Sequence, residues 1–169
     1  MSLSMHRVSN PVFIRGLRVL STLIDKAQAH AQATGLDPDA LVDARLAPDM
    51  LTLAGQVQRA SDTSKFAIAR LSGIESPRMA DDERTLDALR ARIAGTIAYI
   101  DSVGATDMDG SETRIVEVNA GAAKVSFAGA DYLLEFALPN FFFHVTTAYD
   151  ILRAQGVPLS KLDYLGPQG

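Results

Sequence analysis

Two polar side chains sit in the most apolar stretch of this chain. In "PNFFFHVTTAYDILRAQGVPL", Asn140 and His144 are four residues apart, with Phe141, Phe142 and Phe143 between them. Imidazole accepts or donates a proton near neutral pH and binds divalent metals, and a primary amide offers two donors and a carbonyl acceptor. The pair therefore suits a metal site, a pocket for a small polar ligand, or a satisfied structural contact. Left without partners in a core, each group would cost on the order of 1–3 kcal/mol, so both need something polar to meet. The candidates are Gln56 and Gln58 in "GQVQ", which flank an apolar Val57.

His144 and Asn140 must be carried by a helix. At about 100° per residue, Leu133, Ala137, Asn140, His144, Ala148 and Ile151 form one line, and Leu134, Leu138, Phe141, Val145 and Leu152 a second. Only Glu135, Thr146, Asp150 and Arg153 make a polar strip, so more than one neighbour buries this helix. It is expected from about Ala130 to Gln155, closed by Gly156 and Pro158 and kinked or divided at Pro139. Phe142 and Phe143 cannot share a core with Phe141. Burial in an oligomer, or cover from the hairpin or N-terminal segment, would account for them.

Three further helices precede it. The first is predicted to open at Asn10-Pro11 and to run on Phe13, Leu17, Leu20, Ile24, Ala27 and Ala31 until Gly35. The second starts near Asp49 on a stripe of Leu53, Val57, Ala60, Ser64, Ala67 and Leu71, ending at Ser72-Gly73. The third carries Leu86, Leu89, Ile93, Ile97 and Ile100. "TRIVEV", "NAGA" and "KVSFA" then alternate, turn and alternate again, which predicts a β-hairpin at about 113–128. The fold class expected is an all-α four-helix bundle over residues 1–169, one domain, with a small hairpin inserted before the last helix.

Composition narrows the function. The 169 residues are 47% hydrophobic and 21% charged, the make-up of an ordinary globular domain. A net charge of −4 and the lack of a basic cluster exclude a nucleic-acid binder. No cysteine is present, so thiolate chemistry, a Cys-ligated metal and disulfides are excluded, in keeping with a reducing cytoplasm. No run approaches the roughly 18 apolar residues of a membrane span, and the N-terminus lacks a signal-peptide core. "DMDGSE" at Asp107–Glu112 lacks the remaining ligands of a calcium loop and is expected to be a polar turn. No G-x-S-x-G elbow or phosphate-cradling glycine loop occurs.

The ending "LPNFFFHVTTAYDILRAQGVPLSKLDYLG", with "MLTLAGQVQRASDT" upstream and the hairpin between, resembles a bacterial domain-of-unknown-function family grouped with the DinB/YfiT-like four-helix bundles. The resemblance implies an up-down-down-up bundle, commonly a homodimer. In better-known members of that superfamily, three histidines hold a divalent metal, and some relatives are thiol S-transferases or metal-dependent isomerases and hydrolases. By this resemblance His144 stands at the last histidine, Asn140 at the first of the helical pair and Gln56 at the one on helix two. The Arg-Gly-Gln that often follows is Val145-Thr146-Thr147 here.

One imidazole and two neutral amides give a divalent ion no charge compensation. The expectation is therefore a His144-centred site, with Asn140, Gln56 and Gln58, that takes a small polar ligand and needs no cofactor. Two alternatives stand beside it. One is a metal-dependent transferase- or hydrolase-like enzyme in which His144, Asn140 and Gln56 ligate zinc, nickel, iron or manganese. The other is a non-catalytic dimeric protein whose polar cluster sets helix register. The substrate and reaction are not legible from these residues.

Overall fold

The computed structural model describes residues 3–120 and 123–166. Four long helices carry the fold: α1 (Met5–Thr34), α2 (Leu53–Ser72), α3 (Leu86–Asp101) and α5 (Leu138–Ala154). Strands β1 (Ile115–Ala120) and β2 (Ala123–Ala128) pair antiparallel between α3 and the last helix, with Val116 opposite Phe127 and Val118 opposite Val125. A single turn, α4 (Gly129–Asp131), leads into α5, and a short α6 (Lys161–Leu165) closes the described chain.

Side-chain contacts fix the helix directions. Phe13 of α1 meets Phe141 of α5 edge-on at 5.0 Å between centroids, and near their ends His30 lies beside Gly156, so α1 and α5 run parallel. Gln56 meets His144 and Arg70 meets Tyr132, so α2 opposes the last helix. Asn10 meets Ile100 while Asp25 meets Arg90, so α1 opposes α3. Asp62 pairs with Arg92 and Ile74 with Tyr99, so α2 and α3 are parallel. The bundle is up-down-down-up, with α1 packed on α3 and α5, and α2 packed on the same two. One contiguous core joins the apolar stripes of all four helices and reaches the hairpin through Val116 and Val118.

The helix starts differ from expectation. α1 begins at Met5 rather than Asn10, capped by Ser4, whose hydroxyl accepts from the Arg7 amide at 3.2 Å. Asn10, expected as that cap, is buried and donates from Nδ2 to the carbonyls of Ile100 and Val103, each at 3.1 Å. It ties the start of α1 to the end of α3, adding a bond to the Ile100 carbonyl, which also accepts from the Val103 amide, and one to the Val103 carbonyl. α2 begins at Leu53, four residues after Asp49, with Thr52 accepting from the Gly55 amide. Gly35 and Gly73 end α1 and α2 at φ 73° and 80°, as their positions predict.

The kink expected at Pro139 takes the form of a π-helical stretch, Tyr132–Ala137, directly before α5. Proline lacks an N–H for the carbonyl four residues earlier, and wider i→i+5 turns absorb that defect. The stretch also shifts the helical phase. Leu134, assigned to an apolar stripe, is 57% exposed, whereas Tyr132 is buried. Beyond the π turns Phe141, His144, Val145, Ala148, Ile151 and Leu152 are all buried, while Leu138 and Asn140 of the same stripes are half-buried. Phe142 leans into a groove beside Val12 and Val19 of α1, so the N-terminal helix gives it partial cover, and Phe143 is 56% exposed. The calcium-loop look-alike is a polar turn, with the Asp107 carboxylate accepting from the Gly104 amide at 2.8 Å.

Candidate functional site

The site lies along the seam between α2 and the last helix. Because these helices are antiparallel, positions earlier on one meet positions later on the other. Three polar rungs result. His144 meets Gln56, Asn140 meets Thr63 one turn further along, and Tyr132 meets Arg70. The second and third rungs are amide-to-hydroxyl at 2.9 Å and guanidinium-to-phenol at 2.8 Å.

The Gln56–His144 rung sets the state of the imidazole. Gln56 Nε2 donates to the Leu51 carbonyl at 3.3 Å, which turns its Oε1 toward the ring. That oxygen lies 2.7 Å from His144 Nδ1. A carbonyl oxygen only accepts, so Nδ1 carries the proton and Nε2 keeps its lone pair. Among the described residues the fully buried side-chain nitrogen or oxygen without a partner is Arg92 Nε. His144 Nε2 has no partner either, so it is open to solvent. Burial, and then the nearby Arg59 guanidinium, push the His144 pKa down to about 4. The ring is therefore neutral at physiological pH. Phe143 packs edge-on against it at 5.3 Å.

The four residues singled out from the sequence are thus divided. His144 and Gln56 come together. Asn140 lies on the same seam but spends its amide on Thr63. Gln58 is buried on another side of α2, two positions and roughly 200° from Gln56, and donates to Glu83 at 2.8 Å. There it joins a charged cluster that the sequence reading missed. The Arg92 guanidinium bonds Asp62 at 2.8 Å, Asp81 at 3.0 Å and Glu83 at 2.9 Å, and Lys65 bonds Asp62 at 2.9 Å. Arg59 spans Asp62 and Asp81. Burial raises the Glu83 pKa, but the bonds from Arg92 and Gln58 outweigh it and hold the carboxyl below its ordinary value. This cluster pins residues 80–83 of the α2–α3 connection to both helices. Thr63, seven residues after Gln56, was within reach of helical spacing; the Arg92 cluster depends on a loop whose path spacing does not give.

The donor set does not suit a divalent cation. Gln56 Oε1 is committed to a ring N–H, Asn140 has only a neutral carbonyl oxygen to offer, and no carboxylate bonds any of the three groups to balance a divalent charge. Among the described residues no three of His, Asp or Glu gather as a metal site would require.

Fold and seam together define a DinB-like four-helix bundle. A crystal structure of a DinB family member protein from Shewanella denitrificans superposes with a TM-score of 0.88 at 36% identity, over 97% of this chain and 93% of that one. The family model described as Domain of unknown function (DUF1993) matches residues 5–165, and the chain belongs to that family. No curated protein matches the chain. The family and superfamily implied by the ending of the sequence are therefore those found. Among the described residues no helix is long and apolar enough to cross a membrane.

Proposed function

We propose that this DUF1993 protein binds a small polar ligand without metal, at the α2–α5 seam, with His144 Nε2 as the acceptor the ligand must meet. One observation carries the reading. Gln56, its amide oriented by the Leu51 carbonyl, holds His144 Nδ1 at 2.7 Å and leaves Nε2 unpartnered. A neutral imidazole in that tautomer accepts an O–H or N–H, and Arg59 beside it disfavours a cationic ligand. Leu51 at 47% exposure and Phe143 at 56% supply apolar surface next to the rung.

The test is 15N NMR of the imidazole in protein purified without a histidine tag. The Nδ1–H tautomer, and a Nε2 resonance that moves when a donor ligand from a small-molecule screen binds, are expected. His144→Leu should abolish that binding. A ring protonated at Nε2, or binding unaffected by His144→Leu, would remove the proposal. Stoichiometric zinc, nickel, iron or manganese in the purified protein would replace it with the metal-dependent reading. The homodimer that the family resemblance implies would cover Phe143, which is 56% exposed, and a monomer mass by light scattering at micromolar concentration would end it.

A further inference from the structure

A second candidate site lies on the other side of α5, where α1, α5 and α6 meet. α6 is strapped across α1 by the Lys26–Asp163 ion pair at 2.6 Å, by Thr146 and Tyr164 hydroxyls 2.9 Å apart, and by Arg15 donating to the Leu165 carbonyl. Beneath the strap is a pocket of about 330 Å3, lined by Val12, Val19, Phe142, Val145 and Leu165, with Arg15. Gly16 also lines it, where a Cβ would strike the Phe141 ring. The pocket thus lies beside a close approach of α1 and α5 that the missing Cβ of Gly16 permits. Its volume is at the lower end of the roughly 300–1,000 Å3 of small-molecule pockets.

The pocket shares Pro11, Arg15 and Val19 with a wider cleft of about 990 Å3 that adds Arg18, Asp101 and Asp163. The Asp163 carboxylate is committed to Lys26 and Ser160. The Arg18 guanidinium has no partner among the described residues. Among the described residues that line the cleft, the Arg15 and Arg18 guanidinium groups then stand with one uncommitted carboxylate, that of Asp101. On a chain whose net charge is −4, that local excess of positive charge marks the cleft out.

We infer that this pocket binds an aliphatic carboxylate of medium chain length, its hydrocarbon under the α6 strap and its carboxylate at Arg15 and Arg18. Every methylene that enters leaves water for an apolar lining, and a guanidinium recognises a carboxylate through paired N–H donors. A cationic amphiphile would meet those two guanidinium groups instead. The site is independent of His144.

Decanoate below its micelle concentration, titrated into the intact chain and followed by methyl NMR and calorimetry, tests the assignment. Saturable binding that shifts the Val19 and Val145 methyls is expected. Val12→Trp, which fills the pocket, should weaken it at least about tenfold. Arg18→Glu should weaken decanoate several-fold while leaving decanol unchanged. Should Val12→Trp fail to fold by circular dichroism, Leu165→Asp places a negative charge in the same lining and should weaken decanoate likewise. No saturable binding, binding indifferent to the lining variants, or equal affinity for decyltrimethylammonium would overturn the inference.

Discussion

His144 Nδ1 lies 2.7 Å from Gln56 Oε1, across 88 residues of sequence, and that contact decides which ring nitrogen faces solvent. It also joins the two helices that the rest of the seam holds in antiparallel register.

The first consequence is a pH dependence. The folded-state pKa of His144 is pushed down to about 4 from an ordinary 6.5, so on acidification the unfolded chain takes up the proton first. Above pH 6.5 this group contributes no slope. Between about 6.5 and 4 it should remove stability, on the order of 3 kcal/mol in total, and level off below. Urea unfolding across that window, compared with His144→Leu, isolates the term; parallel curves for the two proteins would refute it.

Gln56→Glu reverses the electrostatics at the same atom. A carboxylate facing Nδ1 favours imidazolium, so the His144 pKa should rise by at least about one unit. An NMR titration of the ring reads this directly. An unchanged pKa would mean that Gln56 does not govern the ring.

Arg92 is the most demanding residue of the charged cluster. Its side chain is 1% exposed and bonds three carboxylates and the Ala80 carbonyl, the last at 2.8 Å. Arg92→Met leaves the buried Glu83 carboxylate with the neutral Gln58 amide as its remaining side-chain partner, and should cost about 3–5 kcal/mol. Denaturant unfolding at neutral pH measures it, and a loss below about 1 kcal/mol would show the cluster to be dispensable.

Two glycines are required by contact. A Cβ on Gly16 would overlap Phe141, and one on Gly129 would overlap the Ser111 backbone carbonyl. Gly16→Ala should cost about 1–3 kcal/mol, partly restored by Phe141→Leu, because a side chain can be trimmed. Gly129→Ala should cost more, with no side-chain rescue, since the obstacle is main chain. Thermal melts of the three variants check the ordering, and equal losses at the two sites would contradict it.

Much of this architecture is written in local pattern. The stripes of Phe13–Ala31 and Leu53–Leu71 have the helical period, the hairpin has the strand period, and Gly35, Gly73 and Gly156 stop helices through positive φ. The family, too, is carried by the ending around His144. The four candidate residues were legible as polar groups in apolar surroundings, but their partners were not. Asn10 looks like a cap for its own helix and serves the end of α3 instead, because nothing in local spacing says which helix lies beside it. The phase error at Leu134 has the same origin: a fixed angle per residue cannot register the π turns before Pro139.

Sequence alone therefore determined the four long helices, the hairpin, the family and the apolar line on which His144 sits, all of which depend on neighbours a few residues away. Only the tertiary structure decided what that line meets. The antiparallel seam assigned Gln56 to His144 and Thr63 to Asn140, while the α2–α3 connection drew Gln58 to Glu83 and Arg92. Hydrogen bonds need their atoms within about 3 Å, and between helices that condition is set by packing.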